Sequence, residues 1–371
     1  MGWFGRKSDA AAPAPALPTW LGTRTSETFP RFYEARLKEV FVANPVGQRA
    51  VRLVAGMTGA LTLDLLEGKP RAIELVRKAG FIEGIAAQLL LHGNAYVQVV
   101  PGRGSVGELF ALRPERVTIE TDELGWPSRY AYRVGGRTVR ITARDALARK
   151  QIIHLKALNP SDDHMGLGCL DSAIAAASIH NRASQWNKGL LDNAARPSGA
   201  LVYEPEDGSA LTSDQFARLK SELEQHFSGG SNAGRPLLLE GGLKWQAMSL
   251  TPADMDFIRL KEAAARDIAL AFGVPPALLG LPGDTAYANL REAGRALYRQ
   301  TVLPLGQRII DGLCDGLADW FGKVRIGIDV DQISEIAEDR ERLWQQVSSA
   351  TFLSDAEKRE MVGYSARKGA A

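Results

Sequence analysis

Two short stretches of the 371-residue chain contain residue types and spacings that could do chemistry. The first, residues 102–107 (Gly-Arg-Gly-Ser-Val-Gly), matches the glycine-rich fingerprint of dinucleotide-binding proteins. That fingerprint holds a pyrophosphate only where it joins a strand to the N-terminus of a helix. Residues 108–114 follow it, and this apolar run ending in proline is typical of a strand. We therefore expect a β-hairpin turn, and a soluble nucleotide-binding enzyme that uses residues 102–107 is the alternative hypothesis.

The second stretch contains His154, Asp162, Asp163 and His164, which are residue types that bind metal ions. Their spacing matches no regular helix face and no known ligand motif, so we expect a solvated loop and no metal. The sequence also contains no G-x-S-x-G, no Walker lysine loop and no H-E-x-x-H. We therefore predict no catalytic residues, no cofactor and no enzyme activity.

Composition favours a globular protein that does not bind nucleic acid tightly. Hydrophobic residues make up 45% and charged residues 24% of the chain, and 45 basic against 43 acidic residues leave a net charge of +2. Proteins that bind phosphates tightly usually have a clear basic excess. Cys169 and Cys314 are too few for a disulfide framework and suit a reducing cytosol. The longest apolar run, Ile85–Leu91, is too short to span a bilayer, and we expect no membrane contact.

The hydrophobic pattern predicts the elements that surround these stretches. Residues 8–30 are rich in Ala, Pro, Thr and Ser and predict a flexible arm. Asn44-Pro45 predicts a helix start, and Arg71 to Gly93 has the periodicity of one helix. Between residues 95 and 155 the period changes to alternation, which predicts six short strands in an α+β domain.

From residue 170 to 330 the order of elements becomes specific. The pattern predicts a helix over 170–195, a small α/β unit, and a helix over 253–272 that ends at Gly273 before Pro275-Pro276. A Pro/Gly-rich loop follows, then a helix over 289–321 that Pro304 should bend or break, and a strand over 324–330. Two long helices flanking a small unit are typical of a stalk with a tip.

Three segments, taken in this order, resemble the portal proteins of tailed bacteriophages and related particles. They are LLLHGNAYVQVV with ELFALRPERVTI, then MGLGCLDSAIAAASIHNRASQWNKGLLDNAARPSGALVY, then DMDFIRLKEAAARDIALAFGVPPALLGLPGDTAYANLREAGRALYRQTVLPL. Each piece alone is weak, but their order and spacing are specific, and the resemblance covers roughly residues 31 to 345. It includes the portals of prophages and gene transfer agents, and the sequence leaves open which kind of particle applies.

The resemblance implies an α+β portal-type architecture. In chain order, it assigns a flexible arm (1–30), an α/β wing (31–169), the first stem helix (170–196), a small α/β clip (197–251), the second stem helix (252–273), a tunnel loop (274–288), a proline-bent spine helix with a strand that returns to the wing (289–330), and a short helical crown (331–371). It also implies a ring, usually of twelve copies, at one capsid vertex. The implied partners are double-stranded DNA, a terminase large subunit, a head-tail adaptor and the major capsid protein, after assembly in the bacterial cytoplasm.

Particular residues receive roles from this layout. The DNA-facing tunnel loop would comprise Leu281, Pro282, Gly283, Asp284, Thr285, Ala286 and Tyr287, which include no Lys or Arg. Arg182 and Lys188 are candidate lumen contacts, with solvent-facing or paired side chains as the alternative. A closed ring needs a heterologous interface, for which the candidates are Leu170, Ile174, Ile179, Met255, Ile258 and Phe272, with an intrachain core as the alternative. A near-neutral chain suits a DNA conduit, because many strong phosphate contacts would trap the DNA.

Overall fold

The computed structural model describes residues 32–102, 105–192, 199–203, 243–247, 257–281 and 287–362, with six positions between 212 and 221. The predicted arm and most of the predicted clip lie outside these residues. The described part is a mixture of helices and antiparallel strands, as the α+β prediction requires. No helix in it is both long and apolar enough to cross a membrane.

The first helices form where the sequence provides a cap. Helix α1 (Tyr33–Leu37) continues into a π-helical turn (Lys38–Val42), and α2 (Pro45–Gly59) follows. The Asn44 side chain accepts a hydrogen bond from the Gly47 amide at 2.9 Å, and proline occupies the first helical position. The predicted helix start at Asn44-Pro45 is therefore confirmed.

The single helix predicted from Arg71 to Gly93 is wrong. Two helices, α3 (Pro70–Val76) and α4 (Phe81–His92), are separated by Gly80, whose φ of +72° lies in the left-handed region. Both helices bury apolar residues in the same core, so the hydrophobic periodicity continues across the break and hides it. Gly93, with φ +80°, ends α4 as predicted.

Within the described residues, ten strands form four small antiparallel sheets. Their bounds are β1 Leu63–Glu67, β2 Asn94–Pro101, β3 Val106–Leu112, β4 Val117–Thr121, β5 Pro127–Val134, β6 Arg137–Thr142, β7 Ile152–Lys156, β8 Gly199–Tyr203, β9 Leu243–Ala247 and β10 Arg325–Ile328. The strand orders are β3-β2-β7, β4-β5-β6, β1-β10 and β8-β9. The six strands predicted between residues 95 and 155 are all present.

The two strands that flank the glycine-rich segment form a hairpin, as expected, while residues 103–104 lie outside the described residues. The segment joins β2 to the antiparallel β3, and the Gly102 amide donates to the Ser105 carbonyl at 2.7 Å. A strand follows this turn where a dinucleotide site requires a helix N-terminus. The nucleotide-binding alternative therefore lacks the element that would hold a phosphate.

The long helices come after the sheets. Helix α5 (Leu170–Asp192) precedes the β8-β9 pair, and α6 (Phe257–Ala271) leads into a 3₁₀ turn (Pro276–Leu279). Further along the chain lie α7 (Tyr287–Leu297), a π-helical turn (Tyr298–Val302), α8 (Leu303–Phe321), α9 (Ala337–Ser349) and α10 (Asp355–Met361). One main hydrophobic core joins α2, α4, β2, α5, α6 and α8.

Pro304 interrupts the helical register, as predicted. The Leu303 amide donates to the Tyr298 carbonyl, which is the five-residue spacing of a π-helix. Proline has no amide hydrogen, and in a regular helix its ring would clash with the carbonyl four residues earlier. The wider π turn just before Pro304 absorbs this clash, so α7 and α8 follow each other without an intervening loop.

Strand β10 returns to the first strand of the fold. Leu63 pairs with Ile328 and Leu65 with Ile326, in antiparallel register. The chain therefore leaves the strand-rich region after β7 and comes back to it more than 160 residues later.

Candidate functional site

The two predicted stem helices, α5 and α6, pack against each other. The inner face of α5, and Ile268 and Phe272 at the end of α6, are buried in the main core; the α5 residues are Leu170, Ala173, Ile174, Ala176 and Ala177. Farther out, the positive charge of Lys261 in α6 helps to lower the pKa of His180 in α5. The two helices therefore run antiparallel and leave the core side by side.

A buried polar network holds the outer half of α5. The Asn44 amide group donates to Asn181 Oδ1 at 2.9 Å and to His180 Nδ1 at 3.3 Å. Asn181 Nδ2 in turn donates to the Glu39 carbonyl at 2.9 Å and to Glu39 Oε1 at 3.1 Å. His180 is 5% exposed, and burial, followed by the charge of Lys261, lowers its pKa. The N-cap of α2 and the π turn of residues 38–42 thus fix the rotation of α5.

Close backbone packing fixes the first turn of α5. A Cβ at Gly166 would lie 2.0 Å from the Gly93 carbonyl oxygen, and one at Gly168 would lie 2.4 Å from the Leu91 carbonyl oxygen. The loop before α5 therefore lies directly on the end of α4, which only glycine permits. The Cys169 amide completes the junction by donating to the Leu90 carbonyl at 2.8 Å.

The Asn94 side chain connects the start of β2 to the loop before α5 by hydrogen bonds. Its Nδ2 donates to the Gly166 carbonyl at 3.0 Å, and its Oδ1 accepts from the Gly166 amide at 2.7 Å. Oδ1 also accepts from His154 Nε2 at 2.9 Å, so the neutral ring of His154 carries its proton on Nε2. Asn94 is fully buried, and loss of its amide would leave polar groups without partners.

Two of the four residues considered for metal binding, His154 and Asp162, have other roles. His154 stacks on Tyr96 with the ring centroids 4.3 Å apart, and burial, followed by the charges of Lys156, His164 and His92, lowers its pKa to about 4. Asp162 Oδ1 accepts from the amides of His164 and Met165, which closes a loop turn. Among the described residues no group of three or more His, Cys, Asp or Glu could hold a metal ion.

The predicted ring-interface residues divide into two groups. Leu170, Ile174 and Phe272 are 1%, 6% and 2% exposed and belong to the core of one chain, so the interface prediction is wrong for these three. Their apolar spacing reflects packing against neighbouring helices of the same copy. Ile179 and Ile258 are 42% and 73% exposed and remain available to a partner, while Met255 lies outside the described residues.

The two candidate lumen residues point in different directions. Arg182 and Lys188 are both exposed on α5. They are six positions apart, and at about 100° per residue their side chains diverge by roughly 120° around the helix. They therefore do not share one helix face.

The predicted tunnel loop is anchored at both ends. Gly273, with φ +65°, ends α6, and Thr301 Oγ1 in the second π turn donates to its carbonyl at 2.7 Å. At the other end, Arg295 Nε in α7 donates to the Glu335 carbonyl at 3.2 Å. Leu281 is half-buried, residues 282–286 lie outside the described residues, and α7 begins at Tyr287, two residues earlier than predicted.

Two structural features were not predicted from the sequence, although each leaves a signal in it. The 166–169 junction appears as the spacing Gly166-Leu167-Gly168 just before a helix, opposite Gly93-Asn94 at the end of another. The network around His180 shows only as adjacent polar residues, His180-Asn181, within an otherwise apolar helical face. Neither signal identifies its partner, because both partners are more than 70 residues away in sequence.

Comparisons with known proteins cover most of the chain. The family model described as phage portal protein matches residues 45–363. An uncharacterized protein of Rickettsia felis is 40% identical over 350 residues, which are 88% of this chain and 88% of that protein. The portal protein of Enterobacteria phage HK97 is 25% identical over 256 residues, which are 62% of this chain and 56% of that protein.

A solved structure also matches over nearly the full length. A chain from the neck of a native gene transfer agent (GTA) particle, computed with C12 symmetry, has a TM-score of 0.68 and 44% identity with this chain. The match covers 90% of this chain and 94% of that one. The family match includes every described helix and strand from α2 onward, so it covers both the sheets and the long helices.

Proposed function

Because the chain belongs to the phage portal protein family, we propose that it forms a ring at one capsid vertex through which double-stranded DNA passes during packaging and ejection. The observation that carries this proposal is the 44% identity with a chain of a GTA neck of C12 symmetry. Twelve copies of the 40.2 kDa chain would have a mass of about 480 kDa. The protein acts as a structural conduit and has no catalytic step of its own.

Mass photometry and negative-stain images of the purified protein test this proposal. We expect a particle of about 480 kDa, twelve times the 40.2 kDa chain, with a central hole. A monomer or dimer that binds a dinucleotide would overturn the proposal and revive the nucleotide-binding alternative. A large particle without a central hole would also count against a conduit.

The layout of the proposed ring follows the family. We assign the strand-rich region with the returning strand β10 to the wing, α5 and α6 to the stem, and α7 with α8 to the spine. The clip, residues 197–251, would dock a separate terminase subunit and later a head-tail adaptor, while the wing would contact the major capsid protein. The short helices α9 and α10 would form the crown.

The tunnel loop is proposed to let DNA slide because it carries no positive charge. Residues 281–287 contain Asp284 and no Lys or Arg. A ring multiplies any phosphate contact by the number of copies, so one lysine per copy would create a strong, salt-sensitive hold on the DNA. We expect Asp284→Lys to impair DNA packaging or retention while the protein still folds and assembles.

A matched control separates this effect from a change of net charge. Glu123→Lys makes the same charge change at an exposed hairpin turn far along the chain from the loop. Packaged DNA per particle, measured after nuclease treatment, should fall for Asp284→Lys and stay near the wild-type level for Glu123→Lys. Wild-type packaging and titre for Asp284→Lys would remove the tunnel-loop assignment.

The kind of particle is a separate question. Identity is 44% with the GTA chain but 25% with the HK97 portal protein, which favours a gene transfer agent over an infectious phage. Sequencing the DNA inside purified particles distinguishes them. Fragments drawn from the whole host chromosome are expected, whereas a single phage genome would contradict this choice.

A further inference from the structure

We propose that the junction between the end of α4 and the loop before α5 is acid-sensitive. A proton on His92 Nδ1 would break its hydrogen bond with Asn94 and release the loop of residues 157–169. This inference goes beyond the proposed function and does not depend on assembly into a ring. It follows from the hydrogen-bonding roles that the backbone imposes on one buried amide.

The backbone of Gly166 fixes the orientation of the Asn94 amide. The Gly166 amide only donates and lies 2.7 Å from Asn94 Oδ1, while the Gly166 carbonyl only accepts and lies 3.0 Å from Asn94 Nδ2. Exchanging the two side-chain atoms would place donor against donor and acceptor against acceptor. Asn94 Nδ2 is therefore a donor toward every group that it faces, and Oδ1 is an acceptor.

Two histidines meet opposite ends of this amide and respond differently to acid. His154 Nε2 lies 2.9 Å from Asn94 Oδ1 and must donate, so a second proton on its Nδ1 would leave this bond in place. His92 Nδ1 lies 3.2 Å from Asn94 Nδ2 and must be the acceptor. A proton on this nitrogen would point at the N–H groups of Asn94, and the contact would become repulsive. His92 is therefore the acid-sensitive member of the pair.

The surroundings of His92 limit how else its ring could avoid this contact. Tyr33 of α1 packs edge to face against the ring, with the ring centroids 4.8 Å apart and the planes at 64°. Asn94 Nδ2 also lies 3.3 Å from the His92 carbonyl, so the amide stays next to this residue while the junction is closed. A protonated ring is therefore accommodated by opening of the junction and not by a local rotation.

The titratable groups that face His92 come from three other elements. Burial lowers the pKa of His92, the Glu115 carboxylate in the turn after β3 raises it, and the charge of Arg36 in α1 lowers it. A charge on His154 of β7 would act against a charge on His92. Tyr33 is uncharged near neutral pH, because burial raises its pKa to about 12. The balance of these effects keeps the His92 ring neutral in the closed junction at neutral pH.

Backbone hydrogen bonds on either side of the Asn94 contact report whether the junction is closed. The Gly166 amide and carbonyl lose their side-chain partner when the junction opens. The Ala157 amide donates to the Gly93 carbonyl at 2.7 Å. The Cys169 amide donates to the Leu90 carbonyl at 2.8 Å. These bonds all connect the loop to the end of α4 or the start of β2, so hydrogen exchange of their amides measures the opening.

The difference in proton binding between the open and the closed junction sets the size of the effect. In the open junction His92 has the ordinary histidine pKa of about 6.5, whereas the pKa is lower in the closed junction, so acid favours opening. A change from pH 7.5 to 5.5 should raise the equilibrium constant for opening by up to about tenfold. The closed junction is therefore most stable above pH 6.5 and loses stability as the pH falls below that value.

Hydrogen exchange of the full-length chain, followed by mass spectrometry, tests this inference. Labelling times are scaled to the intrinsic exchange rate at each pH, so that only the opening of the structure is compared. In the wild type, peptides from residues 157–169 should exchange up to about tenfold faster at pH 5.5 than at pH 7.5. In His92→Gln the side-chain oxygen can accept the same hydrogen bond but does not titrate, so the change should stay below about twofold. His164→Gln, a matched control within the loop, should keep the wild-type response.

A further variant leaves the hydrogen bonds of the junction unchanged and alters only a charge. Glu115→Gln removes the carboxylate that favours a protonated His92 in the closed junction, so the acid-induced increase in exchange should equal or exceed that of the wild type. A clearly smaller increase in Glu115→Gln would contradict the inference. A wild-type change below about twofold, or an increase in His92→Gln equal to that of the wild type, would overturn it.

Discussion

Replacement of Asn94 by alanine should loosen the junction between the sheets and α5. The side chain is fully buried and makes close hydrogen bonds with the Gly166 amide, the Gly166 carbonyl and His154 Nε2. Each buried polar group left without a partner costs about 1–3 kcal/mol. These costs are not fully additive, because water can reach some of the groups. We expect Asn94→Ala to lower the free energy of unfolding by about 3–5 kcal/mol.

The assay is chemical denaturation at a fixed protomer concentration, since assembly raises the apparent stability by mass action. Asn289→Ala, at an exposed position of α7, is the matched control and should change stability by less than about 0.5 kcal/mol. Limited proteolysis should also show faster cleavage within residues 157–169 in Asn94→Ala. A loss below about 1 kcal/mol, with unchanged proteolysis, would refute the locking role of Asn94.

Two further predictions follow from named side chains. The pKa of His154 is lowered to about 4 in the folded chain, so as the pH falls this histidine is protonated first in the unfolded chain. The free energy of unfolding should therefore decrease between pH 6.5 and 4, by up to about 3 kcal/mol from this group. In denaturation experiments across this range, the free energy of unfolding of His154→Gln should depend less on pH than that of the wild type. Some dependence should remain, because His92 and His180 also have lowered pKa values. The same pH dependence in both proteins would contradict the assignment. Gly273→Ala should lower the free energy of unfolding by about 1–2 kcal/mol, because the φ of Gly273 is +65° and a Cβ would lie 2.8 Å from Thr301 Oγ1. The control Gly189→Ala, whose Cβ would have no atom within 4 Å, should leave stability unchanged or raise it slightly in the same thermal melts.

Sequence patterns predicted correctly those elements that depend on residues close together in the chain. Asn44-Pro45 begins a helix, residues 102–107 connect two antiparallel strands, and Pro304 disturbs its helix, because capping, turn chemistry and the missing proline amide act within a few residues. The break at Gly80 was missed for the opposite reason. Helices α3 and α4 face one core, so the apolar spacing continues while the backbone turns.

Residues whose role depends on distant contacts could not be assigned in this way. Leu170, Ile174 and Phe272 have the spacing of an amphipathic helix, which does not say whether the apolar face meets the same chain or another. The structure decides this by burial, and only exposed positions such as Ile179 and Ile258 keep the interface role as a proposal. The partners of Asn94 and His180 likewise require the fold.

The antiparallel pairing of β1 with β10 has a mechanical consequence. The predicted stem helices and the chain between them follow β7, and the chain returns to the body through α8 and β10, so this excursion is tethered to that body by two covalent connections. Tension applied to its outer tip during DNA translocation would divide between both connections instead of peeling away a single strand. The segment at the tip of this excursion can also be replaced or lengthened without changing the strand pairing of the body to which it is connected.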